Sequence, residues 1–213
     1  NDNCHSIGSK YKNNIGYASK YADLSCLSFH PVKNITTAEG GAIITNNSDI
    51  YKNCKLLRSH GIVKKNNIFP WYYEMQDLGF NYRLSDIHAS LGLSQIKKLN
   101  KFILFRNKIA KKYNQIFKNI PEINTPFLDN DRTHSYHLYV LQIDFKKIKK
   151  TKKQLFDLFK KNKINLQVHY IPLFLHPYIK KKFKYKRNDF PNSIEYYEKS
   201  FSIPIYYKLE DRT

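Results

Sequence analysis

Lys33 stands in Ser28-Phe29-His30-Pro31-Val32-Lys33-Asn34-Ile35-Thr36-Thr37-Ala38-Glu39-Gly40-Gly41, a short glycine-closed connection between two apolar, β-like segments, 24–29 and 42–45. A lysine fixed in such a loop is equipped to form a Schiff base. The amine attacks an aldehyde only when unprotonated, and a partly desolvated pocket helps it lose its proton. By spacing alone, Lys33 is one more lysine in a lysine-rich chain.

The elements around it set its position. Residues 22–29 mix small, apolar and β-favouring side chains and predict a buried strand, and residues 41–46 predict a second after the Glu39-Gly40 turn. Asn47 or Ser48 caps a helix with Ile50, Cys54 and Leu57 at helical spacing, and Gly61 ends it. From 62 to 80 the pattern is irregular and aromatic, which predicts a long ordered loop. Ser85 with Asp86 opens a helix carrying Ile87, Leu91, Leu93 and Ile96, and a longer helix follows over 100–117. The stretch 119–133, with Pro121, Pro126, Asp129 and Asp131, predicts a domain junction. Beyond it, a strand over 136–145, a helix over 152–161 with Leu155, Leu158 and Phe159 inward, and a strand over 164–170 describe a small α/β lobe.

Ser28 to Gly41 resembles the pyridoxal-phosphate lysine motif of the DegT/StrS-type sugar-nucleotide aminotransferases. The similarity continues through Leu57-Arg58-Ser59-His60-Gly61, from Trp71 to Asp86, and through Gln167-Val168-His169-Tyr170-Ile171-Pro172. It therefore covers essentially the whole chain, with wording nearest to the C4 aminotransferases of the pseudaminic-acid pathway. The resemblance implies an α/β fold, the PLP-dependent transferase fold type I (aspartate aminotransferase-like). Residues 1–120 would be the C-terminal part of the cofactor-binding large domain, and 121–213 a small, incomplete C-terminal α/β domain. Asn1 opens the chain and residues 205–213 close it without a structural stop signal, so an internal fragment of a longer polypeptide is expected. The implied activity moves an amino group from glutamate to the C4 keto group of a UDP-4-keto-6-deoxy-N-acetylhexosamine, in pseudaminic-acid or related surface-glycan biosynthesis.

The same resemblance distributes roles. Lys33 would hold pyridoxal 5'-phosphate covalently and then carry a proton as general acid and base. Asp2, in Asn1-Asp2-Asn3-Cys4-His5-Ser6-Ile7-Gly8, falls at the partner of the pyridine nitrogen, with Asn1 and Asn3 where the family commonly has Glu and Ala. His5 falls beside the phenolic oxygen, and Ser28 at the cofactor phosphate. Asn81 matches an asparagine supplied to that phosphate by the neighbouring subunit, which implies a homodimer with shared active sites. Lysine rather than histidine at position 33 favours transamination over dehydration. Tyr82 is a substrate-binding candidate. His30 and His169 are sugar or cofactor neighbours, or structural histidines. Trp71, Tyr72 and Tyr73 line a nucleotide-sugar pocket or serve packing.

The formal charge of +20 over 213 residues raises the question of an acidic polymer as partner. The excess is nearly all lysine, against six arginines, and it accompanies abundant Asn, Ile, Tyr and Phe, the residues of AT-rich codons. Base readout and bidentate phosphate clamps lean on arginine. The lysine runs 146–153, 160–163 and 180–186 flank predicted helices and describe solvated faces, so no nucleic-acid partner is expected. Three widely spaced cysteines form no Cys-x-x-Cys pair, so neither a metal site nor a disulfide framework is expected, and a reducing cytoplasm suits them. No apolar run reaches membrane-spanning length, and no membrane partner is expected. Two other readings stay open: a non-catalytic relic of the family, and a lysine-rich binder of acidic polymers.

Overall fold

The computed structural model describes residues 1–14, 20–65 and 67–209. The chain divides into two compact units, Asn1–Ile103 with Asn130–Ser135, and Leu104–Asp129 with Tyr136–Thr213.

In the first unit, β1 (Lys10–Tyr11) pairs antiparallel with β7 (Arg132–Thr133), Lys10 opposite Thr133. β2 (Ser25–Ser28) and β3 (Gly41–Ile44) form an antiparallel pair with Ser28 opposite Gly41, so the Lys33 loop is the connection between two hydrogen-bonded strands. Helix α1 (Ser48–Leu57) starts at Asn47, whose side chain accepts from the N–H groups of Asp49 and Ile50, two of the donors a helix start leaves unpaired. The expected loop over 62–80 is corrected by the structure. It contains a hairpin, β4 (Ile62–Lys64) against β5 (Tyr73–Met75), with Val63 opposite Glu74. Glu74 locks this hairpin with Lys65 (2.5 Å), Tyr72 Oη (3.1 Å) and Gln76 Nε2 (2.8 Å). Helix α2 (Asp86–Ile96) begins at Ser85, whose hydroxyl accepts from the His88 N–H. Its Ile87, Leu91, Leu93 and Ile96 are solvent-exposed rather than buried. Helix α3 (Leu99–Phe117) follows and passes into the second unit.

The second unit holds the main core. Its sheet runs β6–β8–β9, all antiparallel, from β6 (Ile123–Asn124), β8 (Tyr139–Ile143) and β9 (Ser200–Ile203). Alternation along β8 turns Tyr139, Leu141 and Ile143 inward, where they meet Phe201, Ile203, and Ile109 and Ala110 of α3. Helix α4 (Lys152–Lys161) opens with a reciprocal cap between Thr151 and Gln154. Leu155 and Phe156 pack on the core, whereas Leu158, expected inward, is exposed. The expected strand over 164–170 reduces to one bridge, Gln167 to Ser202. Helices α5 (Pro177–Phe183) and α6 (Pro191–Lys199) complete the unit, each with proline in its first turn, where its missing N–H costs nothing. Lys152 Nζ donates to the carbonyls of Tyr197 (2.6 Å) and Ser200 (2.7 Å), closing the end of α6. Among the described residues no helix is long and apolar enough to cross a membrane.

Candidate active site

Asp2 lies directly beside β2. It forms a parallel bridge with Cys26, made by the Cys26 N–H to Asn1 O and the Asn3 N–H to Cys26 O, both 2.9 Å. The strand that leads into the Lys33 loop thus carries Asp2 on its neighbour. The Asp2 carboxylate accepts from the Cys4 N–H at 3.0 Å. Hydrogen bonds from the Cys4 side chain and backbone hold the Asp2 carboxyl below its usual range, and the positive charges of His5 and Lys33 act in the same direction. In return, the Asp2 hydrogen bond and burial push the Cys4 thiol up, so it stays a neutral donor near neutral pH.

The Lys33 loop is fixed from several sides. The Phe29 N–H donates to Gly40 O (2.9 Å), and Phe29 O accepts from the Thr37 N–H (2.9 Å) and Thr36 Oγ1 (3.0 Å). The Lys33 N–H closes a turn onto His30 O at 3.0 Å. Asn34, Ile35 and Thr37 are buried while Lys33 is half-buried, so the backbone is anchored immediately after the lysine. Asn34 Nδ2 donates to Ile7 O (3.4 Å) and Ser135 O (3.3 Å). Ser28, at the end of β2, accepts from the His30 N–H at 3.4 Å. The exposed His30 serves its own loop: Nδ1 accepts from the Val32 N–H (3.5 Å), and Nε2 is 4.0 Å from Glu39.

Asn81 and Tyr82 sit on a different support. Asn81 bridges to Ser59, the Phe80 N–H donates to Leu57 O (2.9 Å), and the Tyr82 N–H donates to Arg58 O (2.9 Å). Tyr82 stacks on Phe80 with ring centres 5.2 Å apart, and both rings are exposed. No hydrogen bond, ring contact or charge effect joins Asn81 or Tyr82 to Asp2 or Lys33 among the described residues. His169 lies in the second unit, its Nδ1 3.1 Å from Ser202 Oγ and its ring edge-on to Tyr170. Among the described residues no group of three or more His, Cys, Asp or Glu is placed to hold a metal ion.

Three site residues escaped the sequence reading: Cys4, Asn34 and Ser135. The signal for Cys4 was local, since an aspartate side chain commonly accepts from the backbone N–H two residues on. No local signal pointed to Ser135.

The DegT/DnrJ/EryC1/StrS aminotransferase family matches over residues 1–213. The chain belongs to this family. It is 38% identical to the UDP-4-amino-4,6-dideoxy-N-acetyl-beta-L-altrosamine transaminase of Campylobacter jejuni, covering 98% of this chain and 53% of that protein. Among solved structures, PseC of Helicobacter pylori, an aminotransferase involved in the biosynthesis of pseudoaminic acid, superposes with TM-score 0.87 at 35% identity, covering 98% of this chain and 54% of PseC. The PLP form of Spr1654 from Streptococcus pneumoniae gives TM-score 0.86 at 27% identity, with 99% and 53% covered. The chain spans about half the length of the curated relatives it matches. The fold is that of the α/β, type I PLP-dependent sugar aminotransferases.

Proposed function

We propose that the polypeptide carrying this chain is a PLP-dependent aminotransferase that moves an amino group from glutamate to the C4 keto group of a UDP-4-keto-6-deoxy-N-acetylhexosamine, in pseudaminic-acid or related surface-glycan biosynthesis. The observation that carries this reading is the placement of Asp2, bridged to Cys26 of β2, directly beside the strand that leads into the loop of the half-buried Lys33. This donor set fits pyridoxal phosphate. Lys33 supplies the amine that holds the aldehyde, Asp2 the carboxylate that keeps a pyridine nitrogen protonated, and Ser28 a hydroxyl for the phosphate. When bound, the cofactor supplies an electron sink for the substrate carbon.

Each residue then has a task of its own. Asp2, its carboxylate hydrogen-bonded by Cys4, would hold a proton at the ring nitrogen. His5 would serve the phenolic oxygen. Lys33 Nζ would take and return the proton at the reacting carbon. His30, Tyr82 and His169 are the substrate-side candidates. Asn81 acts on the phosphate across a subunit boundary in a homodimer. This is supported by its seat on an exposed segment where Phe80, Tyr82, Leu84 and Ile87 present apolar surface that a second subunit would cover. The division into a large-domain part, 1–120, and a small domain, 121–213, and a cytoplasmic location belong to the same proposal.

The deciding experiment adds pyridoxal phosphate to the polypeptide, reduces with borohydride and maps the modified peptide. Label on the peptide containing Lys33, lost in Lys33→Arg with the fold intact, is the expected result. Label on another lysine would overturn the assignment. For the shared site, mixing Lys33→Ala with Asn81→Ala subunits should restore activity after exchange; no recovery despite exchange would place Asn81 in the site of its own chain.

A further inference from the structure

The residue after Lys33 has no role in the chemistry proposed above, yet it is among the most enclosed polar groups of the first unit. Asn34 is 5% exposed and spends its side-chain nitrogen on two backbone carbonyls, Ile7 O at 3.4 Å and Ser135 O at 3.3 Å. Ser135, 0% exposed, donates from Oγ to His5 O (3.2 Å). It accepts from Ser9 Oγ (3.0 Å) and donates its N–H back to that hydroxyl (3.1 Å). One buried polar knot thus ties together three pieces of chain: the segment bearing Asp2 and His5, the loop bearing Lys33, and the residues that follow β7.

The knot is not there for stability alone. Asn34 Oδ1 is buried without a donor among the described residues, and a buried acceptor left unpaired is costly. An apolar side chain would avoid that cost. Sequences depart from local optimality in this way chiefly where function demands it. What the amide provides and leucine lacks is direction: two donors that fix where the backbone beside Lys33 sits relative to Ile7 and Ser135.

We infer that Asn34 and Ser135 are positioning residues for Lys33, holding its backbone against the segment that carries Asp2 and His5, so that the amine is delivered to the cofactor aldehyde from a fixed place. The inference rests on the proposed function for the identity of the aldehyde, though not for the knot itself. Reaction rates between bound groups are sensitive to misplacements of about 1 Å, which can cost a hundredfold. A loop that has lost its tether should pay part of that.

The test uses the cofactor-free polypeptide and has two arms. In the first, pyridoxal phosphate is added and the reaction is quenched with borohydride at intervals, giving the rate of attachment to the Lys33 peptide. Asn34→Leu, which keeps the branching at Cγ and removes both donors, should slow attachment about tenfold, and Ser135→Ala about twofold to threefold. Ile109→Ala, a core truncation in the other unit, lowers stability and should leave this rate unchanged. In the second arm, deuterium exchange of residues 29–37 without cofactor should speed up in Asn34→Leu and Ser135→Ala and not in Ile109→Ala. Attachment within twofold of wild type in a folded Asn34→Leu protein, or equal slowing in Ile109→Ala, overturns the inference. Should Asn34→Leu fail to fold, Ser135→Ala decides by the same criteria, since it deletes a single hydroxyl. If the wild-type protein attaches no cofactor at Lys33, the proposed function fails; the exchange arm still judges the knot, and unchanged exchange in the variants rejects it.

Discussion

The crossing of Gly61 and Gly79 gives the sharpest energetic prediction. A Cβ on Gly61 would lie 1.8 Å from Asp77 O and 2.7 Å from Asp77 C, and the residue has φ +66°. A Cβ on Gly79 would lie 2.3 Å from Gly61 N and 2.7 Å from Leu57 O. All of these neighbours are backbone, which cannot swing aside as a side-chain tip can. Gly61→Ala therefore carries two costs, about 1–2 kcal/mol for a left-handed conformation and about 1–3 kcal/mol for overpacking, together about 2–5 kcal/mol. Gly79→Ala carries the second alone, about 1–3 kcal/mol. Gly92, inside α2, meets only Thr37 Cγ2 at 2.8 Å, and the gain in helix propensity of about 1 kcal/mol offsets that contact. Urea unfolding followed by circular dichroism should rank the losses Gly61→Ala, then Gly79→Ala, then Gly92→Ala. Amide exchange at Phe80 and Tyr82, which bond Leu57 and Arg58 across this crossing, should quicken in the first two. Gly61→Ala as stable as Gly92→Ala would refute the argument, and with it the view that this crossing carries Asn81.

Further outcomes follow from burial and charge. Burial lowers the affinity of His134 for a proton, so its contribution is full above the unfolded value near 6.5 and is lost as pH falls through the window beneath it. His134→Gln should flatten the decline in melting temperature between about pH 7 and about pH 5, and an unchanged slope would rule this out. Lys152→Met removes the charged donor that closes α6 while keeping the apolar stem, and urea titration should show a loss of about 1–3 kcal/mol. Leu141→Ala, at a fully enclosed position of β8, should cost about 2–5 kcal/mol, against less than about 0.5 kcal/mol for Leu158→Ala on the exposed face of α4, both read from urea midpoints.

Features fixed by neighbouring residues were legible in the sequence. Asn47 and Ser85 announced α1 and α2 because caps act within one turn, and the lysine loop was readable because strand, turn and glycine signals lie within fifteen or so residues of one another. The β4–β5 hairpin was not legible. Its strands are three residues each, and the approach of Gly61 to Gly79 that brings them together has no local sequence signature. One of the three residues expected on the inward face of α4 was misjudged: Phe156, not Leu158, meets Phe201, with ring centres 5.8 Å apart. Helices α5 and α6 were given no bounds from the sequence although Pro177 and Pro191 marked their first turns. At the candidate site, the motif supplied the residues to look at, whereas the Cys4 bond to Asp2 and the Asn34–Ser135 knot needed coordinates. The knot in particular joins residues about a hundred positions apart, which no window of sequence contains.

The uneven burial of the two units bears on how the protein ages. Among the described residues Ile35 is the sole buried apolar side chain of the first unit, while the second encloses Tyr139, Leu141, Ile143, Phe201 and Ile203 in a common cluster. Local opening draws on the weakest buried contacts. In this chain by itself, amide protection should therefore be deepest along β8 and β9, and a second subunit seated on Phe80, Leu84 and Ile87 should raise protection in α2. A substitution in the second unit would then register mainly in how long the fold survives, and one in the first unit mainly in how often it opens locally.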